Sequence, residues 1–196
     1  MIELYALVSN PVKLDTQESS VSSKPLSHSP EQRLQQLGIA LPRPQLPAAN
    51  YVPVTQSGRL VFLAGQGPLS EGRVAYAGKV GRDLTEQQGY EAARLTILNS
   101  LAILRAYAGS LDNVTRILKL LAWVNCEEGF AREHLIINGA SDLLVEVFGD
   151  RGRHARSAVG AHDLPMNVAV EIELIAEVNF DADARPAQSV QQQAHT

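Results

Sequence analysis

An arginine and a glutamate are the residues of this chain whose types best suit chemistry on a small anion. Arg156 follows two other arginines, Arg151 and Arg153, and leads directly into an apolar β-prone run at 157–160. A guanidinium offers paired donors that match a carboxylate, so an arginine fixed at the start of a strand could hold an anionic molecule. Glu171 stands in the middle of a second β-prone run, where its carboxylate could orient or activate a water molecule.

The spacing leaves structural alternatives open for these residues. If residues 156–160 pair with residues 168–178 as a hairpin, the arginine and the glutamate lie nearly opposite each other. That arrangement suits either a joint site or a plain salt bridge. A solvated basic loop that pairs with Asp150 and Asp163 is the simpler interpretation of the other two arginines.

The remaining polar motifs are weaker candidates. His154 and His162 flank the arginine strand, but no third ligand stands at metal spacing, so we predict no metal site. Cys126 has no partner nearby in the sequence and is more typical of a buried thiol at a strand end than of a nucleophile. The glycine-rich residues 65–68 lack the lysine and the strand-to-helix context of a phosphate loop, which favours a tight turn.

Composition narrows the class of protein. The 196 residues carry 17 basic and 21 acidic side chains, a net charge of −4, and 45% are apolar, which suits one globular domain. This acidic balance makes nucleic acid an unlikely partner. No apolar run approaches the roughly 20 residues that span a bilayer, and no export signal is evident. With a single cysteine, the sequence predicts a cytoplasmic protein.

Proline and glycine divide the chain near residue 50. Six of the ten prolines precede this point, and thirteen of the fourteen glycines follow it. We expect a flexible arm at 1–28, a short helix and extended linker at 29–49, the folded domain at 50–180 and a disordered tail at 181–196.

Periodicity within the domain predicts an α+β fold. Strands are expected at 51–55, 60–64, 74–79, 115–126, 156–160 and 168–178, and helices from a capping box at Thr85 to Gly109 and from 131 to 148. A further short helix is capped by Ser29 and stopped by Gly38. These elements suit two layers, with a mixed sheet of about six strands packed on two helices.

One face of this sheet keeps apolar residues that the two helices do not cover. They are Ile117, Leu121, Trp123 and Ile175. Such a surface rarely stays exposed on a monomer, so we expect a second copy of the chain to cover it.

Several of these segments together resemble the RidA/YjgF family, also called endoribonuclease L-PSP. The opening hairpin at 51–68 resembles the family's first strands, and residues 156–173 resemble its C-terminal signature, with arginine and glutamate fifteen positions apart. The stretch at 137–149 is similar to a divergent branch with a longer second helix.

The resemblance implies a chorismate-mutase-like fold, a homotrimer and sites in the clefts between subunits. It implies hydrolysis of reactive 2-enamine or 2-imino acids to keto acids and ammonia, with no metal or organic cofactor. Arg156 would hold the carboxylate of this small metabolite, and Glu171 would position the attacking water. Tyr51 and Asn138 match positions that line the family's site, and Gly65 could offer backbone groups.

Two alanines depart from the family's pattern. Ala64 and Ala158 stand where active deaminases commonly have a serine and a cysteine, and the loss of these groups could weaken catalysis while carboxylate binding survives. A non-catalytic protein that binds small carboxylates is therefore the alternative function. An endoribonuclease is a third, which the acidic domain disfavours.

Overall fold

The computed structural model describes residues 28–44 and 49–180. The expected disordered tail and nearly all of the expected flexible arm lie outside these residues. The described residues form four α-helices: α1 (Pro30–Gln36), α2 (Glu86–Ala108), α3 (Glu133–Ile136) and α4 (Asn138–Phe148). The strands are β1 (Val54–Ser57), β2 (Leu60–Gln66), β3 (Leu69–Ser70), β4 (Arg73–Val74), β5 (Val114–Asn125), β6 (Ala155–Ala161) and β7 (Val170–Val178). No helix among the described residues is long and apolar enough to cross a membrane.

The helix ends follow the predicted capping residues. Ser29 and Thr85 each form a complete capping box with the glutamine three residues later, which satisfies backbone N–H groups at the starts of α1 and α2. Gly109 ends α2 with a φ of 78°, a conformation that glycine adopts without steric cost. The single helix expected at 131–148 is instead two helices, α3 and α4, that meet at Ile137.

Five strands form one mixed sheet in the order β1-β2-β7-β5-β6, and only β5 and β6 run parallel. The predicted hairpin between 156–160 and 168–178 is wrong, because β5 lies between β6 and β7. The physical reason is the connection between β5 and β6. It contains α3 and α4, and a helical crossover joins parallel neighbours in a sheet. The long apolar β5 thereby gains a partner strand on each side.

The sheet has five strands instead of the six expected. The strand predicted at 74–79 is reduced to β4, which pairs with β3 in a separate two-stranded ribbon, and to one isolated bridge at Ala77. Gly72, with a φ of 74°, turns the chain before this segment, and Gly78, with a φ of 117°, turns it within the segment. Their left-handed conformations interrupt an extended run.

The helices pack on one face of the sheet and bury it. The opposite face, which we call the outer face, carries half-buried and exposed apolar side chains: Phe62, Leu121, Trp123, Val159 and Ile175. Ile117 was predicted to lie there but is fully buried in the core. Irregular register along β5 explains this difference, since two bulges break the strict alternation of its side chains.

Candidate functional site

Arg156 lies on the helix side of the edge strand β6. Its Nη1 donates to Oδ1 of Asn138 (3.0 Å) and to Oγ of Ser141 (2.9 Å), and its Nη2 donates to the backbone carbonyl of His134 (3.0 Å). Three oxygens from the region of α3 and α4 therefore hold the guanidinium. Nε–H and the second hydrogen of Nη2 have no partner among the described residues, which leaves donors for a ligand carboxylate.

Asn138 is the first residue of α4 and accepts a hydrogen bond from Arg156, while its predicted role in a substrate site stays a prediction. Sequence reasoning missed Ser141 and considered His154 only as a metal ligand. Ser141 stands one helical turn after Asn138 and so presents its side chain on the same face of α4. The three-residue spacing of Asn138 and Ser141 is the sequence feature from which the role of Ser141 could have been predicted. The Nε2 of His154 lies 3.1 Å from the Oγ of Ser141, which joins it to the same cluster.

Glu171 lies on the outer face of β7, half-buried against β2. A Cβ added to Gly65 would stand 2.1 Å from Oε1 of Glu171, so the carboxylate occupies the space that the glycine leaves open. Burial, and secondarily the negative charge of Glu173, raises the pKa of Glu171. The carboxyl makes no hydrogen bond or ion pair with any residue that the structure describes. It is therefore available to water or to a ligand.

Arg156 and Glu171 are not neighbours within one chain. Arg156 is in register with Leu120, which faces the core beneath the helices, whereas Glu171 is in register with Trp123 on the outer face. Two strand-to-strand spacings, across β5, and three residues of register separate them, about 10 Å in each direction. The salt bridge considered as an alternative does not form between these two described residues.

The other predicted residues divide between the two locations. Ala158 stands two residues after Arg156 on the same side of β6 and packs against the core. Ala64 lies in β2 beside Gly65, and its N–H donates to the carbonyl of Pro53 (3.0 Å). Tyr51 is 48% exposed and precedes β1, the edge strand that pairs with β2. We call the arginine cluster the Arg156 half-site and the glutamate cluster the Glu171 half-site.

The other two arginines are each bound within the protein. Arg153 Nε lies 3.1 Å from Oδ1 of Asp150 at the surface, as predicted. Arg151 instead donates from Nη1 to a backbone carbonyl at the start of β5 (3.2 Å). Asp163 pairs with neither arginine and lies 3.5 Å from Nζ of Lys79.

A groove of about 520 Å³ lies at the end of β6 beyond Arg156 and is lined in part by Cys126, Glu133 and Gly160. Burial, followed by the charge of Glu133, raises the pKa of the Cys126 thiol. This shift favours the neutral thiol over the nucleophilic thiolate. Within residues 28–44 and 49–180, no three His, Cys, Asp or Glu side chains are grouped so as to hold a metal ion.

The sequence and fold of this chain are similar to those of several known proteins. Protein TCP17 of Trypanosoma cruzi is 42% identical over 147 residues, which are 74% of this chain and 92% of that protein. The structure of Atu1372 from Agrobacterium tumefaciens, a protein of unknown function, superposes with a TM-score of 0.71 and is 44% identical in sequence. The match covers 76% of this chain and 92% of the Atu1372 chain. Escherichia coli TdcF with bound serine superposes with a TM-score of 0.52 and 26% identity, and the match covers 69% of this chain and 93% of the TdcF chain.

Residues 31–178 match the model of a family described as YjgF/chorismate mutase-like and provisionally as endoribonucleases. The match includes α1 and every element that carries the two half-sites. The α+β architecture with its mixed sheet agrees with the resemblance seen in the sequence. The chain is a member of the YjgF/chorismate mutase-like family.

Proposed function

We propose that this protein hydrolyses 2-enamine or 2-imino acids to 2-keto acids and ammonia, without a metal or organic cofactor. The observation that carries the proposal is Arg156, whose guanidinium is held by three protein oxygens while donors remain for a carboxylate. The bound serine of TdcF supports this reading, because an amino acid presents the same α-carboxylate. We place the activity in the cytoplasm, with which the free thiol of Cys126 is compatible.

The site is completed, on this proposal, between two subunits of a homotrimer. Arg156 and Glu171 lie on opposite faces of the sheet, so one small substrate cannot touch both in a single chain. A neighbouring subunit that covers the outer face and extends around the edge strand β6 would bring its own glutamate to the arginine of the first. Burial of Trp123 and Val159 in the same contact would supply part of the free energy of association.

The reaction follows from these two groups. Arg156 binds the carboxylate and fixes C2 of the imino acid. Water adds its oxygen to C2 of the protonated imine while one water proton passes to the Glu171 carboxylate. The carboxyl then returns this proton to nitrogen, and the C–N bond breaks with its electron pair on nitrogen, so that ammonia leaves. The C2 hydroxyl gives its proton to the Glu171 carboxylate as it becomes the carbonyl, and this proton passes to solvent. An enamine enters after protonation at C3. A raised pKa suits a group that both takes and returns a proton.

The test generates 2-aminoacrylate in situ and measures how far the protein suppresses its capture by semicarbazide. The wild type is expected to suppress capture, and Arg156→Ala to lose about 100-fold in kcat/KM through loss of the charged carboxylate ligand. Arg153→Ala, which removes an exposed arginine of the same segment, is the matched control and should keep full activity. Equal, uncatalysed rates for wild type and Arg156→Ala would refute the deaminase.

The second candidate is a non-catalytic protein that binds small carboxylates. The observation that favours it is that Ala64 and Ala158 place methyl groups at positions where a polar side chain could hold water or substrate. This function predicts that 2-keto acids raise the melting temperature of the wild type but not of Arg156→Ala, with no turnover by either. Detectable turnover by the wild type would exclude it.

The endoribonuclease of the family description has weaker support. The three arginines at 151–156 do not form a free basic patch, since Arg151 and Arg153 are each bound within the protein. Cleavage of single-stranded RNA by the wild type, abolished in Arg153→Ala, would establish this function instead.

A further inference from the structure

We propose that Ser141 and His154 are positioning residues that fix the guanidinium of Arg156 in the orientation that binds the substrate carboxylate. Together with Arg156 they form a continuous hydrogen-bonded chain from β6 through α4 to the loop before β6. This inference rests on the proposed function, because that function makes Arg156 the carboxylate ligand.

The hydrogen bonds that run from Arg156 to the loop before β6 all have the same direction. Nδ1 of His154 lies 2.6 Å from the carbonyl oxygen of Gly152, which can only accept, so Nδ1 carries the proton. In a neutral ring Nε2 is then an acceptor, and the Ser141 hydroxyl, 3.1 Å away, donates to it. The serine oxygen is thereby left with only lone pairs for Nη1 of Arg156 at 2.9 Å. Each polar group in the chain has one role.

The environment of His154 maintains this direction. Burial lowers the pKa of His154; the hydrogen bond to Gly152 acts in the opposite sense, and the charge of Arg156 lowers it further. The neutral ring adds no second positive charge beside the guanidinium. Near these hydrogen bonds, Asp142 is the charged group whose field acts on Arg156.

The accepting end of the chain is fixed by close packing. A Cβ added to Gly152 would stand 2.2 Å from the carbonyl oxygen of Leu144 in α4, so the loop lies directly against the helix backbone. The carbonyl that orients His154 is therefore held by the same helix that carries Ser141. The histidine ring bridges two parts of one rigid unit.

These hydrogen bonds determine which N–H groups of Arg156 remain for a ligand. Asn138 and Ser141 take both hydrogens of Nη1. Without the serine hydroxyl, Asn138 and the His134 carbonyl would hold the guanidinium at two points only, and it could turn about the axis between them. The free donors on Nε and Nη2 would then lose their fixed direction.

The experiment measures the Kd of pyruvate by calorimetry together with kcat and KM for 2-aminoacrylate. Ser141→Ala is expected to raise Kd and KM about tenfold, the equivalent of about 1.4 kcal/mol, with kcat changed less than about twofold. Ser141→Thr keeps the hydroxyl and should restore binding. His154→Gln keeps an acceptor for the hydroxyl and should bind better than His154→Phe. Ser70→Ala, at an exposed serine in β3, is the control.

Nitrogen NMR of the wild type reads the proton on His154 directly and needs no variant to fold. The Nδ1–H form is expected, and an Nε2–H or doubly protonated ring at neutral pH would overturn the chain. If wild type binds and converts substrate while Ser141→Ala has an unchanged Kd, the positioning role is wrong and the proposed function stands. If wild type neither binds pyruvate nor converts 2-aminoacrylate, both are wrong.

Discussion

At the scale of single residues, the chemistry of Glu171 is set by a glycine. Gly65 leaves the space that the carboxylate enters, and this half-buried position raises the pKa of Glu171. The carboxyl is therefore more ready to exchange a proton near neutral pH than one exposed to solvent. The sequence predicted both residues through the resemblance but not their contact, because a bulge in β2 after Leu63 sets which residue faces the glutamate.

Glu171→Gln is expected to abolish turnover without loss of stability at pH 7. The pKa of Glu171 is raised in the folded protein, so the folded protein binds the carboxyl proton more tightly than the unfolded chain does. The wild type therefore loses stability as the pH rises from the usual carboxyl pKa through the pKa of Glu171 in the folded protein. The glutamine variant has no such loss. Melting temperatures from pH 4 to pH 8 test this: the advantage of the variant should shrink as pH falls. Glu128→Gln, at an exposed glutamate, is the control, and a variant much less stable than wild type at pH 7 would contradict the account.

Gly65→Ala should reduce kcat while the fold is retained. The added methyl overlaps the end of a flexible side chain, so the carboxylate can move aside, but it then leaves its position over the site. We expect kcat to fall at least about tenfold, since misplacing a catalytic group by about 1 Å costs that much or more. Circular dichroism checks the fold and a steady-state assay checks kcat. Unchanged kcat would show that Glu171 does not act from this position.

At the scale of elements, local signals were predicted well and strand order was not. The capping boxes of α1 and α2 depend on residues three apart, so the sequence alone predicts them. The position of β6 beside β5 depends on the crossover through α3 and α4, and the burial of Ile117 depends on bulges in β5. These are long-range features that alternation within one segment cannot predict.

Helix α1 is an integral part of the domain, and Leu34 tests this. Leu34 is 4% exposed and packs in the main core, while Nε of Arg33 donates to the carbonyl of Glu146 in α4 (3.1 Å). Leu34→Ala is expected to lower the free energy of unfolding by about 2 to 4 kcal/mol. Leu37→Ala, at a leucine 39% exposed at the end of the same helix, should change it by less than about 0.5 kcal/mol. Denaturant titration measures both, and equal effects would show that α1 contributes no specific packing.

In the whole molecule, the proposed trimer would account both for the outer face and for the separation of Arg156 from Glu171. The helices leave one side of the sheet with partly exposed apolar residues, and the glutamate stands among them. The arginine stands at the edge strand, on the other side. A trimer that covers the outer face would complete three sites and bury this surface at once.

Val159→Glu is expected to dissociate the proposed trimer. Val159 is 44% exposed in the isolated chain, so a charged side chain there costs the monomer little, but burial in a contact between subunits would leave the charge unpaired. Light scattering should show a monomer, and activity should fall with it. Leu37→Glu, at a similarly exposed leucine on α1, should remain trimeric. A trimeric Val159→Glu would place the interface elsewhere.

If Arg156 and Glu171 of different subunits form one site, mixing two inactive variants should restore activity. Arg156→Ala and Glu171→Gln are each purified, unfolded together, refolded at equal concentration and assayed. In randomly mixed trimers, a site that takes its arginine from one subunit and its glutamate from the next is intact at about one in four interfaces. We predict recovery of about a quarter of the wild-type activity. Activity no greater than that of the separate variants would contradict the shared site.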